Sequence, residues 1–140
     1  MLSTCESPTW INLAVNKRLA LVVEDESLVA GYLSDMLTDL GFQPYIAQTA
    51  AEALELVKVG VFTVAFVDLA LPDQSGLEVI SEIKDSCPEM PIVIASAYGE
   101  MAGRDMADNV NKIPVLTKPY DQRVLSSLLK TLGFHLLQST

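Results

Sequence analysis

Val64-Ala65-Phe66-Val67-Asp68-Leu69-Ala70-Leu71-Pro72-Asp73-Gln74-Ser75-Gly76 is an apolar run that stops abruptly at a carboxylate. Four apolar residues lead into Asp68, and Pro72 and Gly76 turn the chain after it. Asp68 is therefore expected where a buried strand meets solvent, held at the mouth of a crevice. Taken alone, such an aspartate reads as a solvated cap on a strand end, so its role depends on what the rest of the chain brings to it.

The same pattern occurs upstream. Leu19 to Val23 are all apolar and are followed at once by Glu24-Asp25-Glu26, as in a strand covered on both faces. Leu28, Val29, Tyr32, Leu33, Met36, Leu37 and Leu40 then recur at helical spacing until Gly41. The segment from Phe42 to Ala47 contains Pro44, which cannot donate a ladder hydrogen bond, so it is assigned to a sheet edge. Thr49-Ala50-Ala51-Glu52 has capping-box spacing and opens a second helix ending near Gly60.

Phe62 to Val67 is the strand that reaches Asp68. Ser75-Gly76-Leu77-Glu78 repeats the capping-box spacing, and Leu77, Ile80 and Ile83 form the inward face of a third helix, with Pro88 beyond its end. Pro91 to Ala95 is a fourth strand, ending at Ser96-Ala97-Tyr98-Gly99. The segment from Glu100 to Asn111 has apolar positions only at Met101, Met106 and Val110 and is expected to be the least stably packed helix. Ile113 to Thr117 is a short fifth strand with Lys118-Pro119 after it. Asp121 caps a last helix through Val124, Leu125, Leu128, Leu129 and Leu132, with Gly133 near its end and His135 on the surface beyond.

Five strands alternating with five helices imply an α/β fold, a doubly wound parallel sheet with helices on both faces, because parallel strands need crossover connections. In such sheets ligands gather outside the carboxyl ends of the strands. Glu24, Asp25, Asp68, Ser96 and Lys118 all fall at or just past predicted strand ends on that side. Their coincidence turns Asp68 from a cap into a candidate site residue.

Size and charge narrow the function. A chain of 140 residues suits one domain with a real core. Its net charge of −9 argues against binding nucleic acid through a basic face and points to a cation or a positively charged partner. Cys5 and Cys87 show neither metal-site spacing nor a disulfide framework, which suggests reduced thiols in the cytoplasm. No apolar run approaches the ~20 residues of a membrane span, and the start lacks the pattern of a signal peptide. Residues 1–16, with Trp10 and Ile11, read as a flexible or loosely docked extension before a domain at 17–137.

Three carboxylates brought together repel one another by roughly 1 to 4 kcal/mol per pair at about 4 Å, depending on the effective dielectric. Carboxylate oxygens beside an open loop suit Mg²⁺, a hard cation usually held by one or two carboxylates plus a phosphate. Lys118 supplies a compact positive charge that can reach a carboxylate and a phosphoryl oxygen, and the Ser96 hydroxyl can donate to another. A carboxylate so held can act as a nucleophile and form an aspartyl phosphate, and Asp68 is the candidate.

From Leu19 to Leu132 the chain resembles the receiver domain of two-component response regulators. Glu24 and Asp25 match the family's acidic pair, and Asp68 with the following Leu-Pro and Gly matches its phosphoacceptor. Ser96 matches its hydroxyl residue and Lys118-Pro119 its Lys-Pro. The resemblance implies the strand order 2-1-3-4-5. It also implies Mg²⁺ held by Asp25, Asp68 and the backbone carbonyl of Ala70, with Glu24 acting through water. The phosphoryl group would come from a sensor histidine kinase or a histidine phosphotransfer protein, with no catalysis beyond self-phosphotransfer and autodephosphorylation.

Two features depart from or refine that pattern. The family usually has Tyr or Phe three residues before the lysine, a ring that turns inward when the hydroxyl residue moves toward the phosphate; this chain has Val115. Pro91-Ile92-Val93-Ile94-Ala95-Ser96-Ala97-Tyr98-Gly99 resembles in part the Pro-Phe-x-Phe-Ala-Thr-Gly-Tyr-Gly motif of a subgroup of stand-alone receivers from alphaproteobacteria. Tyr98 is therefore a candidate for part of the lost aromatic role, with Ser96 and Val115 as the other switch positions.

Only Phe134 to Thr140 follow the last helix, so a stand-alone regulator without an output domain is expected, signalling by protein contact or as a homodimer. The surface from Glu100 through the last helix, including Arg104 and Arg123, is the expected partner face. A phosphate sink would share every site residue, and an adaptor independent of phosphorylation is the other receiver-fold alternative. A Mg²⁺-dependent phosphatase with an aspartate nucleophile commonly has a second Asp two residues later, where this chain has Ala70.

Overall fold

A computed structural model describes residues 18–97 and 113–136. The extension at 1–16, Tyr98, Arg104 and the expected helix from Glu100 to Asn111 lie outside the described residues. The elements run β1 (Arg18–Val23), α1 (Ser27–Asp39), β2 (Phe42–Ala47), α2 (Ala50–Val59), β3 (Val64–Val67), α3 (Gly76–Ser86), β4 (Ile92–Ser96), β5 (Val115–Thr117) and α4 (Gln122–Thr131).

All five strands are parallel and stand in the order β2-β1-β3-β4-β5. Among the described residues four helices cover the two faces, and alternation along each strand decides which helix meets which residue. Leu21, Val23, Ala65, Val67, Ile92 and Ile94 pack with Ala53 and Val57 of α2 and Val79, Ile80 and Ile83 of α3. Ala20, Val22, Val64, Phe66, Val93, Ala95 and Leu116 pack on the opposite side with Leu33 and Leu37 of α1 and Leu125 and Leu129 of α4. An unbroken apolar run such as Leu19–Val23 is what a strand with a core on each face requires.

Pro44 does sit in an edge strand, as β2 pairs with β1 alone. Gly41 ends α1 with φ of 101°, a left-handed conformation that glycine adopts without the clash a Cβ would cause. Thr49 caps α2 by accepting from the Glu52 amide, and the Glu52 carboxylate accepts from Gln48, one residue before the expected partner. Ser75 likewise accepts from Leu77 instead of Glu78.

Three strand starts move inward relative to the sequence reading. β3 begins at Val64 and not Phe62, its pairing with β1 starting at Val64 opposite Ala20, with the Thr63 amide just before it donating to Leu19. β4 occupies Ile92–Ser96, and β5 begins at Val115 and not Ile113. Val124, expected on the inner face of α4, is 49% exposed, since that face is centred on Leu125 and Leu129. His135 is exposed as expected, and its carbonyl accepts from the Arg18 guanidinium, which also stacks on Phe42 and Phe134.

Candidate functional site

Register places the site. Val23, Val67, Ile94 and Val115 stand in line across β1, β3, β4 and β5. Glu24 and Asp68 are each one residue beyond that line, Asp25 and Ser96 two and Lys118 three, so all five emerge at one edge of the sheet. The chain leaves β1 toward β2 on one side and returns to β3 on the other. The crevice between β1 and β3 is therefore the switch point, where ligands of such sheets bind. Two backbone bonds hold its rim: Asp68 donates to the Val23 carbonyl at 2.9 Å, and Glu24 to the Ala47 carbonyl at 2.9 Å.

Glu24, Asp68 and Ser96 are buried, with 4%, 6% and 1% exposure, whereas Asp25 is exposed. One carboxylate oxygen from each of Glu24, Asp25 and Asp68 lies within 4.8 Å of the others. Lys118 enters from beyond β5, its amide bonded to the Ser96 carbonyl at 3.1 Å and its peptide bond to Pro119 cis. The ammonium donates to Glu24 Oε1 at 2.5 Å and to Asp68 Oδ2 at 3.3 Å. The other oxygens accept backbone amides, Glu24 Oε2 from Glu26 at 3.2 Å and Asp68 Oδ1 from Ala70 at 3.2 Å.

Burial pushes the Glu24 carboxyl up from its ordinary value, only partly offset by the bonds from Lys118 and the Glu26 amide. Burial acts to lower the Lys118 pKa, but its bond to Glu24 and the charges of Asp68 and Glu24 outweigh it and raise the value overall. Lys118 is thus held firmly as a cation. Among the described residues a single ammonium faces three acidic side chains, and a small hard cation on the exposed, Asp25 side would supply the positive charge they lack. The donor set is all oxygen and open to solvent, which fits Mg²⁺.

The loop after Asp68 is closed by an Ala70–Ser75 bridge and by the Gly76 amide donating to Leu69 at 2.9 Å. Gly76, the first residue of α3, lies so close beneath Asp68 that a Cβ there would stand 2.2 Å from the Asp68 carbonyl oxygen. Val115 is half-buried in β5 and packs against the core shared with α2 and α3.

Sequence reasoning found the five polar residues but not what surrounds them. Asp73 accepts from the Ala50 and Ala51 amides at 2.8 and 3.0 Å, a link whose partners lie 23 and 22 residues away and leave no local signal. Tyr120, two residues after Lys118, is 8% exposed and stacks on Tyr32 at 6.3 Å between ring centres. Beside them a cavity of about 500 Å³ opens between Leu28, Val29 and Tyr32 of α1 and the Lys118-Pro119-Tyr120 turn.

The family model of the response regulator receiver domain matches residues 20–130, which takes in all five polar positions. The chain belongs to the response regulator receiver domain family. This receiver is 30% identical over 113 residues to the photosynthetic apparatus regulatory protein RegA of Rhodovulum sulfidophilum, covering 81% of the chain but only 62% of the relative. Among solved structures, a sensor protein from Polaromonas sp. JS666 superposes with a TM-score of 0.75 at 29% identity, over 81% of the receiver and 94% of that chain. The response regulator TrrA of Thermotoga maritima, solved in complex with Mg²⁺–BeF, superposes with a TM-score of 0.73 at 26% identity, over 82% and 98% of the two chains. Among the described residues no helix is long and apolar enough to cross a membrane.

Proposed function

We propose that Asp68 accepts a phosphoryl group from a phosphohistidine of a sensor kinase or phosphotransfer protein, and that the receiver passes the signal on by protein contact. The observation that carries this reading is the Lys118 ammonium bridging Glu24 and Asp68 in the pocket that also gathers Asp25. An oxygen of Asp68 attacks phosphorus in line with the imidazole nitrogen. The P–N bond breaks with its electron pair passing to the ring, and an acyl phosphate forms. Lys118, already within reach of Asp68, stabilises the charge on the transferring group, and the Ser96 hydroxyl at the end of β4 donates to it. Asp25, Asp68 and the Ala70 carbonyl, with Glu24 behind them, would hold Mg²⁺, which when bound supplies further positive charge beside the phosphoryl oxygens.

The phosphoryl group places new negative charge beside a lysine now bonded to Glu24, so it competes for that ammonium. Because position 115 is valine, the response runs without a swinging ring there. Ser96 and the chain that follows it, with Tyr98, are the segment whose response the reading invokes.

The direct test is addition of Mg²⁺ and beryllofluoride, a mimic of the phosphoryl group, while backbone amide resonances are followed. The reading requires shifts at Asp68, Ser96 and Lys118 that need both additives and vanish in Asp68→Asn. Unchanged spectra in wild type would refute it.

A further inference from the structure

We propose that Asp73 is a positioning residue for the metal site, tying the loop that carries Ala70 to the start of α2. The inference rests on the reading of Asp25, Asp68 and the Ala70 carbonyl as a Mg²⁺ site. A backbone carbonyl has no rotamer of its own, so its direction is that of its loop. Ala70, Pro72, Asp73 and Ser75 in this loop are exposed, whereas Leu69 and Leu71 on either side of Ala70 pack on the core beneath α2 and α3. Its two ends are held, at Asp68 by the sheet and at Gly76 by the bond to Leu69. Between them Ala70 bridges Ser75 and donates to Asp68 Oδ1, and Asp73 adds a tie from the exposed side of the loop to α2.

The Asp73 carboxylate straddles the first turn of α2, Oδ1 on the Ala50 amide and Oδ2 on the Ala51 amide. These are donors the helix cannot satisfy internally. Thr49 satisfies the next one, at Glu52, so the two residues divide the exposed amides between them. The positive end of the helix favours a carboxylate there. The same connection reaches the acidic pair, because Gln48, just before Thr49, donates from its side chain to Ser27 at the start of α1, two residues after Asp25. Asp73 and Gln48 thereby join the segments that follow β1, β2 and β3, the first and last of which carry the acidic residues of the metal pocket. Outer partners that fix the orientation of metal ligands commonly change affinity about 10- to 100-fold when removed.

The test is calorimetric titration of the full chain with Mg²⁺, with the Ala70 amide resonance followed in parallel, in wild type, Asp73→Ala, Asp73→Asn and Thr49→Ala. Thr49→Ala removes a cap from the same helix without touching the loop. Asp73→Ala should weaken Mg²⁺ binding about tenfold and move the Ala70 resonance before any metal is added. Asp73→Asn, which keeps one acceptor, should fall between it and wild type, and Thr49→Ala should bind as wild type does. Should Asp73→Ala not fold, Asp73→Asn against Thr49→Ala makes the same comparison. Wild-type affinity in the Asp73 variants, or an equal loss in Thr49→Ala, would overturn the proposal. So would an Asp73→Asn as weak as Asp73→Ala, which would assign the effect to charge alone. No Mg²⁺ uptake by wild type would instead overturn the metal reading and this inference with it.

Discussion

Gly76 and Asp68 are in closer contact than any side chain would allow: a Cβ on Gly76 would meet the Asp68 carbonyl oxygen at 2.2 Å and Leu69 Cα at 2.7 Å. The residue that begins α3 thus sets how tightly the chain folds back beneath the residue that ends β3. Both obstacles are backbone and cannot rotate away. Gly76→Ala is expected to destabilise the fold by about 3 kcal/mol, the upper end of the range for overpacked sites. Gly31, in the middle of α1 with nothing within 4 Å of its Cβ position, is the control; alanine there should stabilise by up to about 1 kcal/mol. Urea unfolding of the two variants checks both signs, and a neutral Gly76→Ala would disprove the packing argument.

Lys118 is the cation that lets Glu24 and Asp68 stay buried together. Its loss leaves two carboxylates facing each other with 5% and 7% side-chain exposure. Removing one partner of a fully buried pair costs about 3–5 kcal/mol. With 19% of its own side chain exposed, Lys118→Ala should cost less, about 2 kcal/mol. Part of that loss should return when Mg²⁺ is added, because the ion replaces the missing charge. Thermal unfolding with and without Mg²⁺ measures both effects, and equal stability of wild type and variant would show that the ammonium is not needed.

Tyr120 presents the opposite case, a buried hydroxyl with no hydrogen-bond partner among the described residues. Burial pushes its phenol up from 10.0 to about 12, only partly offset by the charge of Lys118. A group whose folded value is raised contributes stability that is complete below its unfolded value and disappears as pH rises through the folded one. Wild type should therefore lose stability between pH 10 and about 12 in a way that Tyr120→Phe does not. At neutral pH the phenylalanine variant, free of an unsatisfied hydroxyl, should be more stable by about 1 kcal/mol. Chemical unfolding across that pH range tests the pair of expectations, and a Tyr120→Phe that is less stable at neutral pH would reveal a partner for the hydroxyl.

The sheet and the five polar residues at its edge were legible because four of the five strands are short, largely apolar runs and each site residue stands at the end of one or within two residues past it. Pro44 even marked which strand lies at the edge. The positions that escaped are those fixed by tertiary contact. Val124 has helical spacing with Leu128, yet the face that α4 buries is that of Leu125 and Leu129. Asp73 looks like any loop aspartate until α2 is folded beside it. That Glu24 is the nearer partner of Lys118, and Asp68 the farther one, depends on sub-ångström placement of three strand ends, which no spacing encodes.

Asp68 is the phosphoacceptor in the proposed reaction. The most direct measurement is the intact mass of the protein after incubation with Mg²⁺ and a small acyl phosphate donor, for wild type and Asp68→Asn. Wild type is expected to gain the mass of one phosphoryl group, in a reaction that stops when Mg²⁺ is chelated, and Asp68→Asn to gain none. A wild-type mass that does not change, or an Asp68→Asn that is phosphorylated as readily, would contradict it.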